Sequence, residues 1–600
     1  MSECDNCNKA LSDWLKKFAN ALASRDMAAL MPLFEQDCFW RDLVAFTWNI
    51  RTEEGRTAIE AMLRARLSDV APSGFVATGT ATSGDGVLEG WFRFETRVAR
   101  CRGHVRLREG RIWTLFTAMD ELRGHEERLG QRRPAGAEHG VHPGRLSWGE
   151  QRDQERNTLG FSTQPDVVIV GAGQAGLSLG ARLRHLGVST LILEKQACVG
   201  DQWRGRYKTL CLHDPAPYCH FPYMPFPPGW SLYTPKDQLG DWMESYAQVM
   251  GLQIWTSSPL RKATYNNSIG RWELEVTHND EQRRLQPRHL VVALGVAGYP
   301  HQPIIPGHDL FEGEQHHSSQ HPGADRYRGK RCVVVGSNNS AHDIAAALWE
   351  AGAAEVTMLQ RSTTAVVPIP GLEKHAFAGS YSDHAVAHGI TTEMSDMTIA
   401  SIPYRLLPRW QKPIYDAIRR DYAEYYQKLE KVGFQLDFGD DESGVFMKFL
   451  RRGSGYYLDV GGAELVANGS IRLISGTAIE RMTAQGIILS NGQELATDLV
   501  VYATGYGSMN HFLADLISPE IAEQMGKVWG LGSETTKDPG PWEGELRNMW
   551  KPTQVKDLWI HGGNLHQCRF YSLYLALQLK ARLAGINTPV YGLAPSFHTF

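Results

Sequence analysis

Three glycines spaced to cradle a phosphate are the first chemistry-bearing residues in this 600-residue sequence. Asp166 to Val170 is a short β-branched run, and Gly171-Ala172-Gly173-Gln174-Ala175-Gly176 follows at once. In such a GxGxxG turn the first glycine makes the tight bend. The second lets a pyrophosphate approach the backbone, and the third lets helix and strand pack closely. The helix that must follow carries Leu179, Leu183 and Leu186 on one face and points its first N–H groups at the phosphates. The next strand, Thr190 to Leu193, ends at Glu194-Lys195, where a carboxylate accepts hydrogen bonds from a ribose diol. On these residues alone the ligand is FAD or NAD.

The pattern returns in looser form after Cys332 to Val335, as Gly336-Ser337-Asn338-Asn339-Ser340-Ala341. Asn338 stands where the second glycine would be and Ala341 where the third would be, so approach to the backbone is less free. The strand Glu355 to Leu359 then runs into Gln360-Arg361-Ser362, with no acid. A carboxylate there would repel a 2′-phosphate, whereas Arg361 can pair with one. NADPH is therefore expected, and Gln360 leaves room for NADH as well.

Several segments resemble one family. Gly200-Asp201-Gln202-Trp203 is similar to the GGxW-type stretch that runs along the flavin in flavin monooxygenases. Leu210 to Pro215, with His213 inside it and FPYMPFP after it, resembles the LxLH-x-P and LPxxPFP run. Phe311, Gly313 and His317 match FxGxxxHxxx, the fingerprint of class B flavoprotein monooxygenases. Ala503-Thr504-Gly505-Tyr506 resembles the ATGY signature, and Gly562-Gly563-Asn564-Leu565-His566 precedes a final helix. The resemblance covers roughly Asp166 to the C-terminus. It departs at His321, where many members carry Trp or Tyr. His321-Pro322, the extra N-terminal region and the missing acid are together most similar to the type II flavin-containing monooxygenases, which use NADPH or NADH.

This resemblance implies FAD at the first turn, NADPH (with NADH also accepted) at the second, and O2 as co-substrate. It implies insertion of one oxygen atom into a small organic substrate through a flavin C4a-(hydro)peroxide, as Baeyer-Villiger oxidation or S- or N-oxygenation. His213, His317 and His321 become the titratable candidates for catalytic control, since histidine titrates near ~6.5. Gln202, Trp203, His213, Thr504, Gly505, Tyr506 and Asn564 join the glycine-turn residues as cofactor contacts, with a helix cap as an equal reading of Asn564. Two other activities compete. One is an NAD(P)H-dependent flavin reductase or oxidase that releases peroxide. The other, a disulfide reductase, needs paired cysteines beside the flavin, and Cys198 has no partner at short spacing.

These residues require an α/β framework of two Rossmann-like dinucleotide-binding domains, FAD then NADP, preceded by a smaller α+β domain. Residues 1–125 open with a helical period (Leu11, Trp14, Leu15, Phe18, Leu22). Phe39 to Asp42, a helix near Thr57 to Leu67 and long strands follow, an order that looks like the SnoaL-like cone. Trp40 and Asp42 are expected to serve its core. Residues 126–164 read as a polar linker, 165–310 as the first part of the FAD domain, and 311–475 as the NAD(P) domain with a helical, tyrosine-rich insertion at the substrate entrance. Residues 476–600 are expected to complete the FAD domain, with the Asn491-Gly492 hairpin leading its strand Asp498 to Tyr502 back to the flavin sheet.

Composition narrows the rest. A net charge of -4 gives no reason to expect nucleic acid, and no apolar run is long enough to span a membrane. The nine scattered cysteines fit reduced thiols, and Cys4-x-x-Cys7 lacks a second pair for a metal site. With no basic-then-apolar leader, a cytoplasmic enzyme without a resident metal is expected, acting on a small molecule as a homodimer.

Overall fold

The computed structural model describes residues 3–137 and 139–598. The side chain of Cys4, and with it the Cys4-Cys7 pair, lies outside the described residues. The N-terminal unit packs the helices Glu3–Ser24 and Gly55–Val70 against a six-stranded sheet. Its spatial order is Ile50–Glu54, Phe34–Leu43, Arg111–Leu122, Ala99–Arg108, Val87–Glu95, Ser73–Gly84. Only Phe34–Leu43 and Arg111–Leu122 pair in parallel. Leu11, Trp14, Leu15, Phe18 and Leu22 are all buried, and Phe18 and Phe34 both lie against Trp40. Trp40 Nε1 donates to Thr117 Oγ1 at 2.9 Å, while Asp42 accepts the Thr117 hydroxyl at 2.6 Å and the N–H groups of Phe46 and Thr47. Both residues serve this core.

The polar stretch after it contains a helix, Trp148–Thr158, closed by a capping box between Ser147 and Glu150. The S-x-x-E spacing was its one local signal, because the helix is exposed on most of its surface.

Two parallel five-stranded sheets follow, built to one plan. The first runs Leu558–Ile560, His289–Val292, Val167–Val170, Thr190–Leu193, Ile254–Trp255. The second runs Glu314–His317, Leu499–Tyr502, Arg331–Val335, Glu355–Gln360, Arg472–Ser475. In each, the glycine-turn strand sits at the centre, and the strand closing the unit is preceded by an antiparallel three-stranded meander. The strand Leu499–Tyr502 therefore belongs to the second sheet, in register with Cys332 to Val335, and not to the flavin sheet as the sequence suggested. The Asn491-Gly492 hairpin lies in the second meander, and the first sheet is closed by His289–Val292 and Leu558–Ile560.

The first-turn helix Gln174–His185 is buried on more than the expected leucine face, because the final helix Leu565–Leu583 packs on its other side. The insertion after the second turn is helical, with Tyr415 and Tyr426 in its core; Tyr457 is buried in the core of the second sheet, and Tyr422, Tyr425 and Tyr456 keep partial exposure. No helix among the described residues is long and apolar enough to cross a membrane.

Candidate cofactor and substrate site

At the first turn the three glycines answer three different constraints. Gly171 has φ +109°, and a Cβ there would stand 2.7 Å from the Ala293 carbonyl oxygen. A Cβ on Gly176 would fall 2.0 Å from the Gly171 oxygen, so this glycine is what lets helix and turn touch. A Cβ on Gly173 would meet nothing nearer than Gln202 Nε2, at 3.6 Å. The fold leaves Gly173 room, so its lack of a side chain answers to whatever approaches from outside. Gln202 Oε1, beside this opening, is buried without a hydrogen-bond partner. An open glycine at a helix N-terminus fits a bound pyrophosphate, and the orphaned acceptor beside it fits a donor elsewhere on the nucleotide, a hydroxyl or a ring N–H.

Glu194, also buried, accepts the N–H of Ala172 at 2.9 Å and of Gln196 at 2.8 Å, so it holds the turn closed at the place where a ribose would lie. Lys195 is exposed. Gln174 Nε2 donates to Gly563 O at 3.3 Å and ties the turn to the final helix. Asn564 is that helix's cap: its oxygen accepts the Gln567 N–H at 2.9 Å and its amide donates to Tyr218 at 3.1 Å. Ala175 lies buried in the helix's first turn, and Trp203 packs half-buried against the same apolar core.

The second turn repeats the close approach. Gly336 has φ +129°, and a Cβ there would sit 2.4 Å from the Ala503 oxygen, as Gly171 does with Ala293. Asn338 occupies the N-cap of the helix Asn339–Glu350 without capping it; its side-chain oxygen accepts the Thr364 hydroxyl at 3.3 Å. Ser337 Oγ lies 2.7 Å from the same hydroxyl, and the Asn339 side chain accepts the Leu458 N–H at 2.8 Å. Ser340 is buried in part, beside the Tyr207 phenol.

A cavity of about 390 Å³ opens at this turn, with Ile305, Leu359 and Ile479 on its apolar side. Arg361 lines it, and so do Arg452 and Lys537, while no carboxylate among the described residues does. Sequence reasoning missed the last two, because they come from the insertion and the C-terminal segment, far from either glycine motif. Gln360 does not reach the cavity. Its amide is spent on the Gln435 backbone, donating at 2.9 Å and accepting at 2.8 Å, so the ribose role considered for it is withdrawn.

The three histidines sit in three different settings. His317 is buried; Nδ1 accepts the Ser319 N–H at 3.1 Å and Nε2 lies 3.0 Å from the Gly505 oxygen. That pattern puts the ring proton on Nε2. Burial lowers its pKa, and both nitrogens are already engaged. The Gly505 oxygen also accepts the His301 N–H, and Gly507 N–H donates to Tyr299 O at 2.8 Å. The two connectors between the sheets are thus stitched together beside His317, with the Tyr506 ring edge-on at 5.2 Å and the Thr504 hydroxyl on the His301 carbonyl.

His321 shares a 3.0 Å contact with His316 and stacks on Tyr327; burial pushes it down to about 4, and its Nε2 has no partner among the described residues. His213 faces Asp343 at 3.6 Å, and Asp343 also accepts the Tyr207 hydroxyl at 2.7 Å. Burial alone would depress His213, but the Asp343 carboxylate outweighs it and raises the imidazole above its ordinary value.

A pyridine nucleotide-disulphide oxidoreductase family model matches residues 168–368. The rice (Oryza sativa subsp. japonica) indole-3-pyruvate monooxygenase YUCCA1 is 30% identical over 345 residues, which span 57% of this chain and 77% of that protein. The chain belongs to the flavin monooxygenase family. A second rice relative, YUCCA8 of the subspecies indica, is 28% identical over 64% of this monooxygenase and 87% of its own length. A solved flavin-containing monooxygenase from Stenotrophomonas maltophilia is 19% identical and covers 70% of this chain and 99% of that one, with a TM-score of 0.45.

The family model's name speaks of disulphides, and none is formed among the described residues. The cysteines among the described residues are all free, and burial raises the Cys211 and Cys219 thiols above their ordinary value, away from the reactive thiolate.

Proposed function

We propose that this monooxygenase uses NADPH to reduce an FAD held at the first glycine turn, and inserts one oxygen atom of O2 into a small organic substrate. The cavity at the second turn carries this reading: three cations line it and no acid does, which suits a nucleotide with an extra phosphate. Bound flavin supplies hydride acceptance and oxygen activation, chemistry that no side chain here has.

The protein's own residues do the rest. Glu194 takes the flavin-side ribose while Gly173 and the N–H groups after it take the pyrophosphate. Arg361 binds the 2′-phosphate of NADPH, which favours it over NADH. His213, raised by Asp343, keeps its proton to higher pH than a free imidazole and is the proton carrier of the site. His317 and Thr504 to Tyr506 position the connectors, and His321 stays neutral. The partly exposed insertion tyrosines Tyr422, Tyr425 and Tyr456 face the substrate route, and oxygen goes to a ketone or to sulfur or nitrogen. The enzyme is a cytoplasmic homodimer in this reading, and its SnoaL-like N-terminal unit, filled by its own aromatic rings, braces the catalytic part.

The experiment is a stoichiometry. With a panel of ketones, thioethers and amines, the FAD-loaded enzyme should turn over NADPH, O2 and oxygenated product in equal amounts for at least one class. Peroxide released in step with all the NADPH consumed, across the whole panel, would overturn the reading in favour of an oxidase.

A further inference from the structure

We infer that Lys537, held in place from the N-terminal unit, is a third phosphate-binding cation of the second-turn cavity and recognises the 2′-phosphate of NADPH together with Arg361 and Arg452. The inference deepens the NADPH reading and rests on it.

Lys537 is exposed at the cavity rim, and its ammonium makes no ion pair or hydrogen bond among the described residues. Its backbone, by contrast, is fixed. The next residue, Asp538, is fully buried and accepts the N–H of Leu531 at 3.0 Å and of Ser533 at 3.1 Å, and it faces Arg547 at 3.5 Å. The segment is thereby closed into a loop that leaves Lys537 exposed.

That loop is anchored on two sides. Trp529 Nε1 donates to Phe449 O at 2.9 Å, and a Cβ on Gly530 would stand 3.1 Å from Arg451 O, so the loop lies along the helix Gly444–Arg452. Lys537 and Arg452 both line the cavity. On the far side Glu545 accepts two hydrogen bonds from Arg41 of the N-terminal unit, at 2.7 and 2.8 Å, with both side chains buried. Trp542 Nε1 donates to Glu54, on the same unit, at 2.6 Å.

Three cations drawn from three distant parts of the chain thus line one cavity that no carboxylate among the described residues lines, and only Arg452 feels nearby acids, Asp437 and Asp440. A plain ribose needs none of them, whereas a dianionic phosphate monoester gains a charge-assisted hydrogen bond from each.

The test uses titration calorimetry on the full-length enzyme with adenosine 2′,5′-bisphosphate and with 5′-AMP as probes. Lys537→Gln should weaken the bisphosphate about tenfold and leave 5′-AMP unchanged. Equal losses for both probes, or no loss for either, would overturn the inference. A wild-type enzyme that binds both probes equally well would instead sink the NADPH reading beneath it. Glu545→Gln tests the brace: if it stays folded by thermal unfolding, it should show the same selective loss although Lys537 is present, and no added loss in the double variant. A folded Glu545→Gln enzyme with wild-type bisphosphate affinity refutes the brace. Should that variant not fold, Lys537→Gln alone decides the cation.

Discussion

Alanine at Gly173 and alanine at Gly176 should fail in opposite ways, although the two sites are three residues apart in one motif. At Gly176 the new methyl would lie 2.0 Å from the Gly171 oxygen and 3.1 Å from its carbonyl carbon. Both are backbone atoms, so the helix must lift off the turn, and overpacking of this kind costs on the order of 1–3 kcal/mol or more. At Gly173 the methyl has only Gln202 Nε2 within reach, at 3.6 Å, and φ is -74°, where alanine is at ease. The protein without cofactor should therefore keep its Tm to within about 1 kcal/mol of stability, as the entropy gained by replacing glycine and the weaker N-cap offset each other. What Gly173→Ala loses is FAD, because the methyl occupies the pyrophosphate's approach. A hundredfold weaker affinity corresponds to about 2.7 kcal/mol. Thermal unfolding of the stripped proteins and FAD titration followed by flavin absorbance separate the two effects. A Gly173→Ala protein that binds FAD like wild type would refute the assignment of this turn to the cofactor, whatever the outcome at Gly176.

Arg361→Ala should raise the KM for NADPH about tenfold or more and spare NADH, since a charge-assisted hydrogen bond contributes about 1.5–3 kcal/mol; equal losses with both coenzymes would end the 2′-phosphate role. Acid should destabilise the fold through His321, whose buried ring titrates at about 4 against an ordinary 6.5. Its contribution is complete above about pH 6.5 and is lost as pH falls toward 4, on the order of 2 kcal/mol by pH 5. The buried Asp42 carboxyl, pushed up to about 6, works in the opposite direction, so the comparison must be made within a variant pair. His321→Gln should lose about 2 kcal/mol less than wild type between pH 7.5 and pH 5 in urea unfolding, and an unchanged acid sensitivity would contradict the assignment.

What could be read from the sequence was local. Gly171 to Glu194 and Gly336 to Arg361 declare strand, turn and helix within a single window, and the leucine and aromatic period of the first helix declares its buried face. Pairing partners are not local. Leu499–Tyr502 and His289–Val292 are both short apolar runs behind an antiparallel meander, and nothing in either says which sheet it joins. Arg452 and Lys537 were invisible for the same reason, because only the folded chain brings them to Arg361. The histidines were visible as residue types, but their roles depend on what each nitrogen meets.

His317 shows how far that dependence reaches. A histidine in a fingerprint motif invites an acid-base role, yet its Nδ1 is filled by the Ser319 N–H and its Nε2 proton is directed at Gly505, on the connector returning from the second sheet. The other connector reaches the same carbonyl through His301. Removing the ring therefore leaves the part-buried Ser319 N–H without its acceptor and the Gly505 oxygen with the His301 N–H alone, at about 1–3 kcal/mol, and loosens the two units against each other. His317→Ala should then raise the KM for NADPH and the share of electrons lost to peroxide, with little change in the pH dependence of turnover. Glutamine, whose amide can still donate from the Nε2 position, should restore most of the stability and coupling. If His317→Gln is as impaired as His317→Ala while as stable as wild type, the imidazole itself takes part in the chemistry, and the clamp is not its purpose.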